Sequence, residues 1–167
     1  MSLFQQEKRI LVLVLAVVLG GILMAGYLLL PSAKKEPADF RGMKWGSNLR
    51  DLAGMNLLAE DGNLKFFEKA NDLTKLGDAD VDKIIYGFHK DRFYNVMIYY
   101  SSPADFARIR DTLSKEFGQP FQPSESEKKC FWNGEQVNLL LSFDEASNTG
   151  RITYLFKPIQ LEVEVGG

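Results

Sequence analysis

The chain has 167 residues, with 20 Lys and Arg against 22 Asp and Glu, a net charge of −2, one cysteine and one histidine. That length corresponds to one domain, and scattered, balanced charge lacks the basic footprint of a DNA or RNA binder. The lone Cys130 excludes an internal disulfide and an all-cysteine zinc site, and the lone His89 excludes a zinc site with several histidine ligands.

In chain order, residues 1–9 form a short tail ending in Lys8 and Arg9, and residues 10–30 carry no charge. At 1.5 Å per residue that run is roughly 31 Å of helix, matching a hydrocarbon core of about 30 Å. Lys8 and Arg9 bound it on one side, and Pro31, Lys34 and Lys35 on the other. Tyr27 falls near the second interface, where aromatic residues gather. A cleaved signal peptide would have a shorter apolar region and small residues at −3 and −1. The expectation is therefore an uncleaved, single-pass signal-anchor. The tail is expected in the cytoplasm and the domain outside, in the inner membrane of a bacterium. Ala16 to Gly20 and Gly21 to Ala25 are small-xxx-small spacings, through which the helix could pair into a homodimer. Residues 31–39, with two prolines, read as a semi-extended linker.

The domain is expected over residues 40–158. Ser47 is the expected N-cap of a short helix through Leu49 and Leu52, ended by Gly54. Met55 to Ala59 and Asn63 to Glu68 read as a hairpin around Asp61-Gly62. A polar loop, Asn71 to Asp80, leads to a second hairpin, Val81 to His89 and Arg92 to Tyr100, turned by Lys90-Asp91. A helix follows. Ser102 can cap it, Pro103 suits its first position, and Phe106, Ile109, Leu113 and Phe117 form one apolar stripe ended by Gly118. Lys129 to Trp132 and Glu135 to Phe143 flank Asn133-Gly134, a strong hairpin signal. After the turn Ser147 to Gly150, residues Arg151 to Lys157 return as a strand. Residues 159–167 alternate, and read as either an edge strand or a frayed end. Together these elements predict an α+β chain: a transmembrane helix, then a two-layer domain of antiparallel sheet with two helices on one face.

The sequence carries few signs of reaction chemistry. His89 sits at a predicted turn, where a histidine is usually solvated. Asp78, Asp80 and Asp82 alternate, but the sixth and twelfth positions of a calcium loop would be Lys83 and His89, so that pattern fails. No phosphate-binding glycine motif is present. Catalytic, cofactor-binding and metal residues are accordingly assigned as none, with no cofactor expected. The aromatics carry more information. Strict alternation puts Phe93 and Tyr99 on one face and Tyr94 and Tyr100 on the other, with Tyr86 and Phe88 sharing a face of the neighbouring strand. Tyr86, Phe88, Tyr94 and Tyr100 are therefore either an exposed interaction surface or ordinary core.

The residues Phe40-Arg41-Gly42-Met43-Lys44-Trp45-Gly46-Ser47, followed by Tyr86-Gly87-Phe88 and Arg92-Phe93-Tyr94, resemble a group of small bacterial domains that follow a signal peptide or membrane anchor. More remotely, the helix-hairpin organisation is similar to outer-membrane-assembly lipoproteins and β-lactamase-inhibitor proteins. That resemblance implies binding to other proteins and carries over no catalytic residue. Trp45, Gly46, Gly87 and Trp132 are read as structural, Trp45 as a core anchor for the first helix and the two glycines as points of close backbone approach. The expected function is a non-enzymatic, membrane-anchored, extracytoplasmic domain that binds a protein partner in the envelope. The alternatives are a small-ligand-binding or sensory domain, and a hydrolase using carboxylates.

Overall fold

A computed structural model of the chain describes residues 35–124 and 127–165. The expected tail 1–9, the expected membrane helix 10–30 and the first residues of the linker lie outside the described residues. Among the described residues no helix is long and apolar enough to cross a membrane.

The domain is an α+β fold built on one seven-stranded antiparallel sheet. Its strands are β3 (Met55–Asp61), β4 (Leu64–Lys69), β7 (Lys83–His89), β8 (Arg92–Tyr100), β9 (Lys129–Asn133), β10 (Val137–Asp144) and β11 (Thr149–Phe156). Their spatial order is β3-β4-β7-β8-β11-β10-β9. Two meanders therefore meet where β11 returns beside β8. Two short ribbons flank the sheet: β1 (Asp39–Phe40) with β2 (Met43–Lys44), and β5 (Lys75–Leu76) with β6 (Ala79–Asp80). The second lies inside the predicted polar loop, where Gly77, at φ +58°, turns it.

Helix α1 (Pro103–Phe117) has the predicted start and stop. Ser102 holds the cap position without a side-chain bond, and the fixed φ of Pro103 sets the first turn. Phe106, Ile109, Leu113 and Phe117 are buried against one face of the sheet. Each contributes roughly 2 kcal/mol by leaving water. The indole nitrogen of Trp132, on β9, donates to the Gly118 carbonyl (2.7 Å) and satisfies the helix terminus.

Several expectations are corrected. The first predicted helix is a single 3₁₀ turn, Leu49–Asp51, capped by Asn48 instead of Ser47. Its backbone is drawn onto β8: Leu49 N–H donates to Asp91 O (2.8 Å), and Phe93 N–H donates to Ser47 O (2.9 Å). Residues 159–165 of the tail are neither a strand nor frayed. They belong to α2 (Lys157–Val165), with Pro158 in its first turn and Ile159 and Gln160 buried. Ile159 packs with Tyr94 and Leu155, on the face opposite α1, so the two helices lie on opposite faces of the sheet. Asn133-Gly134 does not make a two-residue turn. Asn133 pairs with Asn138, Gly134 N–H donates to Val137 O (3.0 Å), and a four-residue loop results.

The face assignment of β8 also changes. Phe88 pairs with Phe93, but the next pair is Gly87 with Asn95, which leaves Tyr94 as an extra residue. This β-bulge shifts the alternation by one. Phe93, Val96, Ile98 and Tyr100 share the α1 face, while Tyr94, Met97 and Tyr99 lie on the other.

Candidate functional site

The four aromatics offered as a surface are core. Tyr86, Phe88, Tyr94 and Tyr100 are each 0% exposed. Phe88 packs edge-on against Phe67, with ring centroids 5.4 Å apart, and lies 5.5 Å from Phe93. The Tyr100 hydroxyl donates to the Ser142 carbonyl (2.9 Å). Tyr94 is covered by α2. Burial pushes all three phenols above their ordinary range. These positions are not an exposed interaction surface: Phe40 covers Tyr86, Phe67 covers Phe88, Phe143 covers Tyr100 and α2 covers Tyr94.

Tyr86 belongs to a polar clamp. Its hydroxyl donates to Asp72 Oδ2 (2.5 Å), and Asp72 Oδ1 accepts from Arg41 Nη1 (2.7 Å). Arg41 also donates to the Leu73 carbonyl (2.8 Å) and the Lys75 carbonyl (2.6 Å). Its guanidinium lies 5.3 Å from the Phe40 ring centroid. Arg41 occupies a left-handed turn, φ 52°, with Gly42 at φ 80°. The Phe-Arg-Gly motif thus ties β1–β2 to the 72–76 segment through the core hydroxyl of Tyr86. Tyr86 is wholly buried, while Arg41 and Asp72 stay partly exposed with their polar atoms engaged within the clamp.

The residues read as structural have identifiable work. Trp45 stacks on Phe93 at 4.9 Å and on Phe156 at 6.2 Å. Its indole N–H donates to Pro37 O (2.9 Å), so it fastens the linker more than the 3₁₀ turn. Gly46, at φ 82°, lets its own N–H reach Phe93 O (2.8 Å). Gly87 faces Asn95 at the bulge, where an added Cβ would sit 2.9 Å from the Asn95 Cβ.

The groups with nucleophile or base character are withdrawn from solvent. The Cys130 thiol is fully buried, and burial pushes its pKa up to about 11. His89 is 5% exposed, which corrects its reading as a solvated turn residue. Burial first, then Lys90 and Arg92, hold its pKa below the ordinary value. Asp80 of the acidic alternation is bonded to Lys75 (2.8 Å). Among the described residues no cluster of three His, Cys, Asp or Glu could hold a metal ion.

One surface feature was missed by sequence reading. Lys129 pairs with Ser142, Ser142 with Arg151, Arg151 with Tyr99 and Tyr99 with Lys83. Directly opposed residues share a face, so these five form one row across β9, β10, β11, β8 and β7, on the face away from α1. Cations alternate along it with hydroxyls. Lys129 reaches Glu127 (3.2 Å) and Lys83 reaches Glu68 (2.6 Å), but Arg151 makes no ion pair among the described residues. An open groove of about 620 Å³ lies over the row from Lys129 to Tyr99, lined by Tyr99, Lys128, Ser142, Asp144, Thr149 and Arg151 among others. A second cavity of about 260 Å³ shares Ser142 and Arg151 and extends to Phe131 and Leu140. Only the strand register brings these residues together, which is why no local motif announces them.

Compared with known proteins, the chain matches no family model, no curated protein and no solved structure.

Proposed function

We propose that the chain is a single-pass protein of a bacterial inner membrane whose extracytoplasmic domain binds a protein partner and catalyses no reaction of its own. The uncharged run of residues 10–30 supports the anchor. The partner binds in the groove over Lys129, Ser142, Arg151 and Tyr99. The observation that carries this is the juxtaposition of Tyr99 and Arg151, directly opposed on β8 and β11, half-buried, with the guanidinium unpaired among the described residues. Tyr and Arg dominate binding energy at protein interfaces, because each offers apolar area together with directed donors. An acidic side chain of the partner would receive the guanidinium, flanked by the hydroxyls of Ser142 and Tyr99. The burial of Cys130 and His89 supports a non-enzymatic role.

A photo-crosslinker at Thr149, on the rim of the groove, tests this in intact membranes. Adducts of defined mass are expected, and Arg151→Glu is expected to abolish them. Adducts that survive Arg151→Glu, or their repeated absence, contradict the reading.

The groove volume also favours a second reading, a small anionic ligand, because it falls within the range of ligand pockets. A ligand-dependent rise in melting temperature that Arg151→Gln removes would distinguish it.

A further inference from the structure

The linker is not a free spacer throughout. The Glu36 carboxylate accepts from the backbone N–H of Gln136 (2.7 Å) and of Val137 (2.9 Å), at the β9–β10 loop. A Cβ on Gly134 would collide with Glu36 and with the Val137 carbonyl, so the glycine makes room for this contact. From the other side Lys157 Nζ donates to Asn133 Oδ1 (3.0 Å) and Gly134 O (2.5 Å). Pro37 is fixed in turn by Trp45. The tether therefore ends at Glu36. Only residues 31–35 separate that point from the uncharged run, a reach of about 17 Å at full extension.

Sheet register says what else lies at that end. The β9–β10 loop, the β7–β8 turn at Lys90-Asp91 and the β3–β4 turn at Gly62 all belong to one end of the strands. The 144–149 loop and the row holding Arg151 belong toward the other. Eight residues of β10 separate the two ends, roughly 27 Å. The near end is not strongly basic. Lys65 is paired with Asp91 (2.8 Å), and Arg92 is paired with Glu162. Tethering, not attraction to anionic lipid, would hold this end at the surface.

We infer that the end of the sheet carrying residues 62–63, 90–91 and 134–136 is a membrane-apposed surface, held there by the Glu36 clamp, so that the groove over Arg151 opens away from the bilayer. This rests on the anchor reading of residues 10–30 and deepens it by orienting the domain. It predicts that the groove meets partners arriving from the aqueous compartment, not partners lying in the membrane plane.

The test uses the full chain in phosphatidylcholine vesicles containing lipid with a headgroup-attached nitroxide. A fluorophore is placed on Glu135→Cys or on Ala146→Cys. Both positions are exposed, while the buried Cys130 stays unlabelled in the parent chain. The inference predicts several-fold stronger quenching at 135 than at 146, and a contrast that shrinks toward parity in Glu36→Ala. Equal or inverted quenching in a chain that resists alkaline extraction overturns the orientation and leaves the anchor standing. A contrast unchanged by Glu36→Ala overturns the clamp as its cause. A chain that alkaline washing releases from the vesicles overturns the anchor reading, and the orientation with it.

Discussion

The ring of Tyr100 lies directly over Gly150, its cross-strand partner on β11. A Cβ at Gly150 would fall within the ring itself. The same ring lies 5.9 Å from that of Phe143, and its hydroxyl is bonded to the Ser142 carbonyl. Glycine is thus required here for close approach and not for an unusual backbone, since its φ is not positive. Gly150→Ala is expected to cost about 2–3 kcal/mol by overpacking. Thermal unfolding of the detergent-solubilised chain should show it as a lowered midpoint. A midpoint within error of the parent would mean that the ring moves aside freely.

Tyr94 supports the opposite kind of prediction. It is the bulge residue, fully buried beneath α2, and its hydroxyl has no hydrogen-bond partner among the described residues. A buried hydroxyl without a partner is a net cost, so removing it should not destabilise. Tyr94→Phe is expected to leave stability unchanged or raise it by about 1 kcal/mol. The check is the same melting experiment, and a clear loss would show that the hydroxyl has a partner after all.

His89 makes stability depend on pH near neutrality. Its folded pKa lies below the ordinary value of 6.5, chiefly through burial, then through Lys90 and Arg92, opposed by Glu162. The unfolded chain therefore binds the proton more readily. The contribution of His89 is fully present above about 6.5 and is lost as pH falls toward the depressed folded value. The expected profile of melting midpoint falls between roughly pH 7 and 5. His89→Gln should flatten that interval. A parent profile already flat there would contradict the assignment.

Glu162 governs the lower interval. Arg92 holds its carboxyl below the ordinary range by hydrogen bonding. The pair is exposed, so its share of global stability is small. Its effect should be local, because it fastens α2 to the start of β8. The pair's contribution is present above the ordinary carboxylate value and is lost as pH falls through the depressed one. Protection of the Ile159 to Val163 amides, taken relative to their intrinsic exchange rates at each pH, is expected to fall selectively in acid. In Glu162→Gln the same amides should exchange faster even at neutral pH. Uniform exchange changes across the domain would argue against a locally fastened α2.

Elements announced by local chemistry were legible in the sequence. Pro103 and Gly118 bounded α1, and Lys90-Asp91, both at positive φ, turned β7 into β8. What depended on tertiary context was not. The tail Ile159-Gln160-Leu161-Glu162-Val163 alternates like a strand, yet it folds as a helix because Ile159 finds Tyr94 and Leu155, and Glu162 finds Arg92. Pro158 in the first turn was the available signal. The bulge at Tyr94 has no sequence signature, and it alone brings Phe93 and Tyr100, opposed under strict alternation, onto one face. The row from Lys129 to Lys83 draws on five strands, so no window of sequence contains it.

The membrane topology is tested most directly by cysteine labelling. Ser147→Cys places a thiol in the exposed β10–β11 loop, while Cys130 remains buried. A membrane-impermeant maleimide applied to intact spheroplasts is expected to label this variant and not the parent. Protection of the thiol until lysis would place the domain in the cytoplasm and contradict an extracytoplasmic binding role.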